Sequence, residues 1–440
     1  MKAVTSAARS TPRESVPTTG LECCAGLETL DETPGPMPVI TYAAATRSLV
    51  LSLAAIEVHH AAMPTENMHS SPASSLAASS AVLGWVPRQL HRSPALDGLR
   101  GLAIVAVVLF HLPTRDVISR GGLFGVDVFF ALSGFLITAL LQREYVATGT
   151  VRVGAFVVGR IVKIAPALLG FLAAYLFLDL KFGDTSWFGS DPFGPRQGAP
   201  VSPDLAMQGV VGAATLTFNV LRIAGIALPP IGHLWSLSVE GQFYLVWPPL
   251  FVLLMRRAPT AAIPVTAALW AASVVWPHVV WRDGAGADAI YFGSLARLQD
   301  FMIGALGFQL WSAGATDRVG RTAWSVIAGC AGAVLIGLVL VVADVPFKYL
   351  GASPIAAVAA TGLMLRYANA SGASPSERLL GSRPLTWLGE RSYSIYLWHY
   401  LFVSWTNPLP RLIGVPLAIV CALVVGEISW RTLEATTSRR

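Results

Sequence analysis

From Leu96 towards the C-terminus, apolar blocks of about 18–25 residues recur, separated by short polar stretches. A helix needs that length to cross ~30 Å of hydrocarbon. Eleven blocks are read, centred near residues 104, 132, 172, 213, 245, 270, 303, 333, 358, 397 and 421. The expected fold class is all-α, a polytopic membrane helical bundle. Residues 1–92 have a different pattern, rich in Ser, Thr, Pro and Ala, with "TPGPMP" and "SSPASSLAASS" as linker composition. The apolar run "YAAATRSLVLSLAAIEV" inside them is interrupted by Arg47, is too short to span, and lacks the layout of a signal peptide. The expected organisation is a disordered head over 1–92, a membrane-embedded domain over 93–434 and a short tail over 435–440. Met63 and Met68 are alternative starts for the head. No internal repeat and no second soluble domain are expected.

Composition points the same way. Hydrophobic residues make up 54% and charged residues 13%, against about a quarter charged in soluble domains, so water is not the solvent for most of the surface. The net charge of +6 is spread over short loops, which fits positive cytoplasmic loops and speaks against nucleic acid as a partner. Cys23 and Cys24 lie in the head, Cys330 and Cys421 in apolar spans; no zinc-like spacing occurs, and no role is expected for them.

The loop charges also test which blocks cross. With the N-terminus inside, the loop after the second block, with Arg143, Arg152, Arg160 and Lys163, is cytoplasmic. If all eleven blocks cross, Arg256, Arg257, Arg318, Arg321, Arg378 and Arg383 fall outside. If the fourth block, about 206–221, does not cross, they return inside. The expected arrangement is ten spans with a re-entrant or half-buried fourth segment and both termini cytoplasmic. The Ala, Gly, Val and Arg bias suggests a high-GC bacterium, and hence a plasma membrane.

Charged residues inside spans are expensive and usually paired or functional. In "LDGLRGLAIVAVVLFHL", Arg100 and His111 are eleven residues apart, which returns to nearly the same helix face after a rise of about 16 Å. Arg stays charged while His titrates near neutrality. Arg100 snorkelling beside Asp97, with His111 capping the outer end, is the plainer alternative. In "GGLFGVDVFFALSGFLIT", Asp127 lies at a depth similar to His111 and is placed to orient that imidazole, or else is an interfacial carboxylate; its glycines and Ser133 suit close helix packing. Arg160 and Lys163, at i and i+3, share a helix face suited to phosphate groups or to plain membrane anchoring. In "GHLWSLSVEGQFYLVWPPL", His233 and Glu240 are seven apart, and Glu240 needs a partner. In "LGERSYSIYLWHYLFV", Ser392 and His399 share a face, while Tyr393, Tyr396 and Trp398 read as an aromatic belt. There is no Walker loop, HExxH or GxSxG motif, and metal catalysis is not expected.

Taken in order, "LDGLRGLAIVAVVLFHL", "GGLFGVDVFFALSGFLIT", the Arg-x-x-Lys before "IAP", "HLWSLSVEGQFYLVWP" and "LGERSYSIYLWHY" resemble the acyltransferase-3 family of integral membrane acyltransferases, over about Ser93 to Glu434. The resemblance implies transfer of an acyl group, often acetyl, from an acyl-CoA donor to a hydroxyl, commonly on a sugar of a cell-surface glycan or of a glycosylated metabolite such as a macrolide. The family's Arg-x10-His pattern falls on Arg100 and His111. Its Arg-x-x-Arg pattern falls on Arg160 and Lys163, where Lys keeps the charge but loses the bidentate fork. Its paired glutamates reduce here to Glu240, because Gly241 stands in the second place. On this reading acyl-CoA phosphates sit near Arg160 and Lys163, Arg100 helps to place the thioester, and His111 is general base or transient acyl carrier. Asp127 or Glu240 fixes the imidazole tautomer. The partners implied are membrane lipid, acyl-CoA and a carbohydrate-bearing acceptor. A transporter or flippase for a polar or lipid-linked solute is the rival reading.

Overall fold

The computed structural model describes residues 87–113, 121–182, 203–226, 231–340, 347–368 and 374–435, all within the unit Arg47–Arg440. The head up to residue 86, with its alternative starts, and the tail from 436 lie outside the described residues. Where the description begins, the chain is pinned: the Arg88 amide donates to Ser312 O at 3.2 Å and the Arg88 side chain pairs with Asp317. The final residues of the head are thus tied to the membrane domain.

Among the described residues there is no strand. The order is α1 (Pro94–His111), α2 (Phe124–Thr148), α3 (Val153–Phe182), α4 (Pro203–Ala214), α5 (Phe218–Ile223), α6 (Trp235–Arg257), α7 (Ala262–Arg282), α8 (Ala287–Tyr291), α9 (Ser294–Ser312), α10 (Arg321–Leu340), α11 (Ser353–Ala368), α12 (Pro375–Leu380), α13 (Arg383–Glu390), α14 (Ser392–Thr406) and α15 (Arg411–Ser429). A 3-10 turn, Gly232–Leu234, leads into α6, and π-helical turns precede α11 and follow α15. Each of the eleven apolar blocks is helical at its centre. Among the described residues eight helices, several extended by short flanking turns, are long and apolar enough to cross a membrane: α1, α2, α3, α6, α7, α10, α11 and α15. The blocks near 303 and 397 became α9 and α14, which carry more polar residues or fewer turns and are enclosed by their neighbours. The architecture is an all-α polytopic membrane bundle.

Local sequence explains the ends. Pro94 occupies the first turn of α1, where its missing N–H costs nothing, and Asp97 faces the positive end of the helix dipole. Gly149 closes α2 in a left-handed conformation (φ 73°), returning its N–H to Tyr145 O. The fourth block breaks into α4 and α5, of 12 and 6 residues. At about 1.5 Å per residue neither is long enough to cross hydrocarbon. Leu216, between them, sits at φ 59°, a costly conformation for a side chain with a Cβ. The turn is held from α6: Gln242 Nε2 donates to Leu216 O at 2.6 Å and to Asn219 Oδ1 at 3.0 Å, and Asn219 Nδ2 donates to Phe292 O at 3.0 Å.

Two glycine pairs fix the centre. An added Cβ on Gly134 of α2 would stand 2.0 Å from Phe301 O of α9, and one on Gly304 of α9 would stand 2.0 Å from Ala131 O of α2. The two backbones therefore touch. Likewise an added Cβ on Gly101 of α1 would meet Leu385 O of α13, and one on Gly389 would meet Asp97 O. Around the α2–α9 seam Phe130, Phe243, Phe301 and Trp247 form the main core. The outer faces of α7 and α10 stay apolar and exposed, as lipid-facing helices should.

At the end of the bundle where α1 and α14 begin, charges interlock. Arg92 pairs with Asp97 and Glu390, Arg391 with Glu390 and Glu427, and Glu427 with Arg431. The Glu390 and Asp97 carboxylates raise the Arg92 guanidinium above its ordinary pKa, so it is held firmly charged.

Candidate active site

His111 is the last residue of α1. Its Nδ1 lies 2.8 Å from Val107 O, one turn back, and 3.1 Å from Nε2 of His399 on α14. His399 is 0% exposed, and its own Nδ1 lies 2.7 Å from Tyr396 O. A third imidazole, His233 from the turn before α6, is 1% exposed and has its ring centroid 5.3 Å from that of His399. His233 Nε2 lies 3.1 Å from Leu397 O. Tyr400 packs between His111 and His233, with centroids 4.9 and 5.1 Å away, and Phe171 of α3 covers His233 at 5.9 Å. Three histidines from three distant stretches thus meet in one aromatic pocket.

Carbonyl oxygens only accept hydrogen bonds, and this assigns the protons. His399 Nδ1 must carry its hydrogen to reach Tyr396 O, so its Nε2 holds a lone pair. His111 Nδ1 then faces two acceptors, Val107 O and His399 Nε2. It carries the hydrogen, and the lone pair of the ring falls on Nε2. Such an imidazole can take a proton from a hydroxyl or attack a carbonyl carbon. Among the described residues no group of three or more His, Cys, Asp or Glu side chains is placed to hold a metal ion.

The structure corrects the expected orienting partner. Asp127 Oδ1 accepts from Arg297 Nη1 at 2.9 Å and from the Ser353 hydroxyl, and its Oδ2 has no hydrogen-bond partner. Glu240 accepts from Ser133 and Tyr244. Neither carboxylate is hydrogen-bonded to His111. His233 lies in the 3-10 turn before α6 while Glu240 lies within α6, and the two have different hydrogen-bond partners. Sequence reasoning missed Arg297 and Asp300 altogether. Their signal is "SLARLQDF", two opposite charges at i and i+3 in an apolar block.

Arg100 lies in α1 about 16 Å along the axis from His111. The charge of Lys163 interacts with those of Arg100, Arg160, Glu240 and Glu434, so residues from α1, α3, α6 and the turn after α15 converge. Asp97, the neighbour expected to quench Arg100, pairs instead with Arg92. Arg100, Arg160 and Lys163 form no ion pair with any described residue; Arg160 lies over the Phe156 ring at 5.2 Å. A cleft of about 390 Å³ between α2 and α3 is lined by Arg143, Glu144, Phe156 and Arg160. α3 runs for 30 residues, about 45 Å, longer than the hydrocarbon is thick.

Comparison with known proteins follows this geometry. A family profile described as an acyltransferase domain matches residues 93–428. Similar proteins include the peptidoglycan O-acetyltransferase OatA of Listeria monocytogenes, 28% identical over 366 residues, covering 78% of this chain and 55% of that protein. The O-acetyltransferase OatA of Staphylococcus aureus is 29% identical over 381 residues, covering 81% and 58%. YrhL of Bacillus subtilis is 31% identical over 371 residues, covering 79% and 55%. The chain spans a little more than half the length of these relatives. No solved structure matches it. The matched region runs from the residue before α1 into α15 and so takes in the histidine cluster and the cations alike: the chain belongs to the acyltransferase-3 family of membrane proteins.

Proposed function

We propose that this protein is an O-acyltransferase of the bacterial plasma membrane, transferring an acetyl group from acetyl-CoA to a sugar hydroxyl of a cell-surface glycan. The observation that carries it is the imidazole of His111, held with its hydrogen on Nδ1 and its lone pair on Nε2. The donor's phosphates would lie near Arg160 and Lys163, which form no ion pair with any described residue and would supply the charge the phosphates need. Coenzyme A carries its phosphates and thioester at opposite ends of a long pantetheine arm, and α1 carries Arg100 and His111 at separated heights. The names of the relatives support an acetyl group and a carbohydrate acceptor.

His111 Nε2 takes the acceptor's hydroxyl proton as the oxygen attacks the thioester carbonyl. The carbon–sulfur bond then breaks, and the thiolate recovers the proton as free coenzyme A. In the alternative order Nε2 attacks first and expels the coenzyme A thiolate; the acyl-imidazolium then passes the acyl group to the hydroxyl, whose proton goes to the thiolate. Both routes use the same nitrogen. The experiment is transfer of isotope-labelled acetyl from acetyl-CoA to a panel of glycan and glycosylated small-molecule acceptors, by purified protein in nanodiscs. His111→Ala is expected to lower turnover by about 10²–10⁴-fold, the usual contribution of a positioned base, with the protein still folded. Acetyl transfer undiminished in His111→Ala would reject this assignment.

A further inference from the structure

We propose that His399 is the positioning residue of His111: its bare Nε2 accepts from His111 Nδ1–H, orients the imidazole and bears part of the charge when His111 takes up a proton. This rests on the acyl-transfer reading above and adds a partner to its base. In many sites a carboxylate stands behind a catalytic histidine and holds it in one tautomer. Among the described residues no carboxylate is hydrogen-bonded to His111. Asp127 is committed to Arg297 and Ser353, and Glu240 to Ser133 and Tyr244. A neutral imidazole occupies the place, 3.1 Å from Nδ1.

The polarity of that hydrogen bond is set from outside the pair. Tyr396 O lies 2.7 Å from His399 Nδ1, so the hydrogen of His399 resides there and its Nε2 accepts. His233 Nε2–H donates to Leu397 O, the carbonyl next along α14, and its ring stands edge-on to His399 at an interplanar angle of 76°. The Tyr396 hydroxyl donates back to His233 O. The short stretch from Tyr396 to His399 is thereby clamped on both sides, and His399 has little freedom to turn its ring. A neutral partner also suits this location, because a second buried anion would need its own counter-charge. When His111 becomes imidazolium, its Nδ1 proton is shared with His399 Nε2; on return of the other proton to the thiolate, the pair regains its starting state with no net proton change.

The test uses the full chain, labelled with 15N-histidine, in nanodiscs. In the wild type, His111 is expected to carry its proton on Nδ1 and His399 to have an unprotonated Nε2, with a nitrogen–nitrogen coupling across the hydrogen bond. A proton on His399 Nε2 would overturn the proposal. Two variants add the functional arm. His399→Gln places an amide oxygen near the lost Nε2 and should keep most of the turnover. His399→Leu removes the acceptor and should lower kcat by at least about tenfold while leaving the KM for acetyl-CoA unchanged. Wild-type turnover in His399→Leu, with His111→Ala inactive, would overturn the positioning role and leave the acyl-transfer reading standing. Full activity in His111→Ala would overturn that reading and with it the role in catalysis. Should His399→Leu not fold, the wild-type spectrum and the His399→Gln turnover decide.

Discussion

Arg297 is 2% exposed, yet it is charged and lies amid apolar helices. It survives there because α2, α9 and α11 each bring a partner: Asp127 at 2.9 Å, Asp300 at 3.7 Å and the Ser353 hydroxyl at 2.8 Å. The rings of Tyr291 and Trp235 lie 4.6 and 5.6 Å from the guanidinium carbon. Removing one partner of such a group leaves the others buried and uncompensated. Arg297→Met should therefore cost about 3–5 kcal/mol of stability, seen as a lowered Tm in detergent. Adding Asp127→Leu and Asp300→Leu to it should restore much of that loss. The sequence made Asp127 conspicuous as a charge in a span but not its partner, which stands 170 residues away. The histidines show the same limit. His111 was legible because Arg100 shares its helix face, a relation within one helix. That His399 and His233 close around it depends on packing between helices, which periodicity does not encode. Gly241 is a converse case: an added Cβ would meet the methyls of the Leu216 side chain at 2.7 Å, so the second carboxylate of the family pattern would require that side chain to move.

Among the helices, the α2–α9 contact bears most of the geometric constraint. Gly134 and Gly304 each face the other helix's main chain, and small residues are what allow such approach within a membrane. Gly304→Leu should force the helices apart, costing about 1–3 kcal/mol or more, and detergent-purified protein should show this as early unfolding and aggregation on size exclusion. The same substitution at Gly329 of α10, where an added Cβ meets nothing within 4 Å, should be tolerated. The glycines of the second block were readable as packing residues from their small size; the helix they pack against was not. Element lengths match the expected 18–25 residues in α2 and α15, whereas α3 runs longer, at 30 residues. They were read less well in α9 and α14, whose enclosure by protein lets them carry Arg297, Gln299, Asp300 and His399.

For the whole molecule, the helix lengths give eight candidate crossings among the described residues, and neither α4 nor α5 is long enough to be one. A non-crossing fourth segment puts the loops with Arg152 and Arg256 on one side, and Arg256 Nη2 indeed donates to the Thr150 hydroxyl at 2.7 Å. In a cysteine-free background, single cysteines at Arg152 and Thr432 should resist a membrane-impermeant maleimide in intact cells. A cysteine at Asp283, in the loop after α7, should react. The reverse pattern would invert the orientation. The turn at Leu216 then acquires a weight out of proportion to its size. It sets the parity of the bundle: an even number of crossings in place of an odd one, for every helix that follows. An uninterrupted helix through Thr215–Thr217 would exchange the two faces of the remaining half of the chain, delivering His233 and His399 inverted with respect to His111. The hydrogen bonds from Gln242 that hold this one left-handed residue are, in that sense, what lets two separately threaded halves share a single pocket.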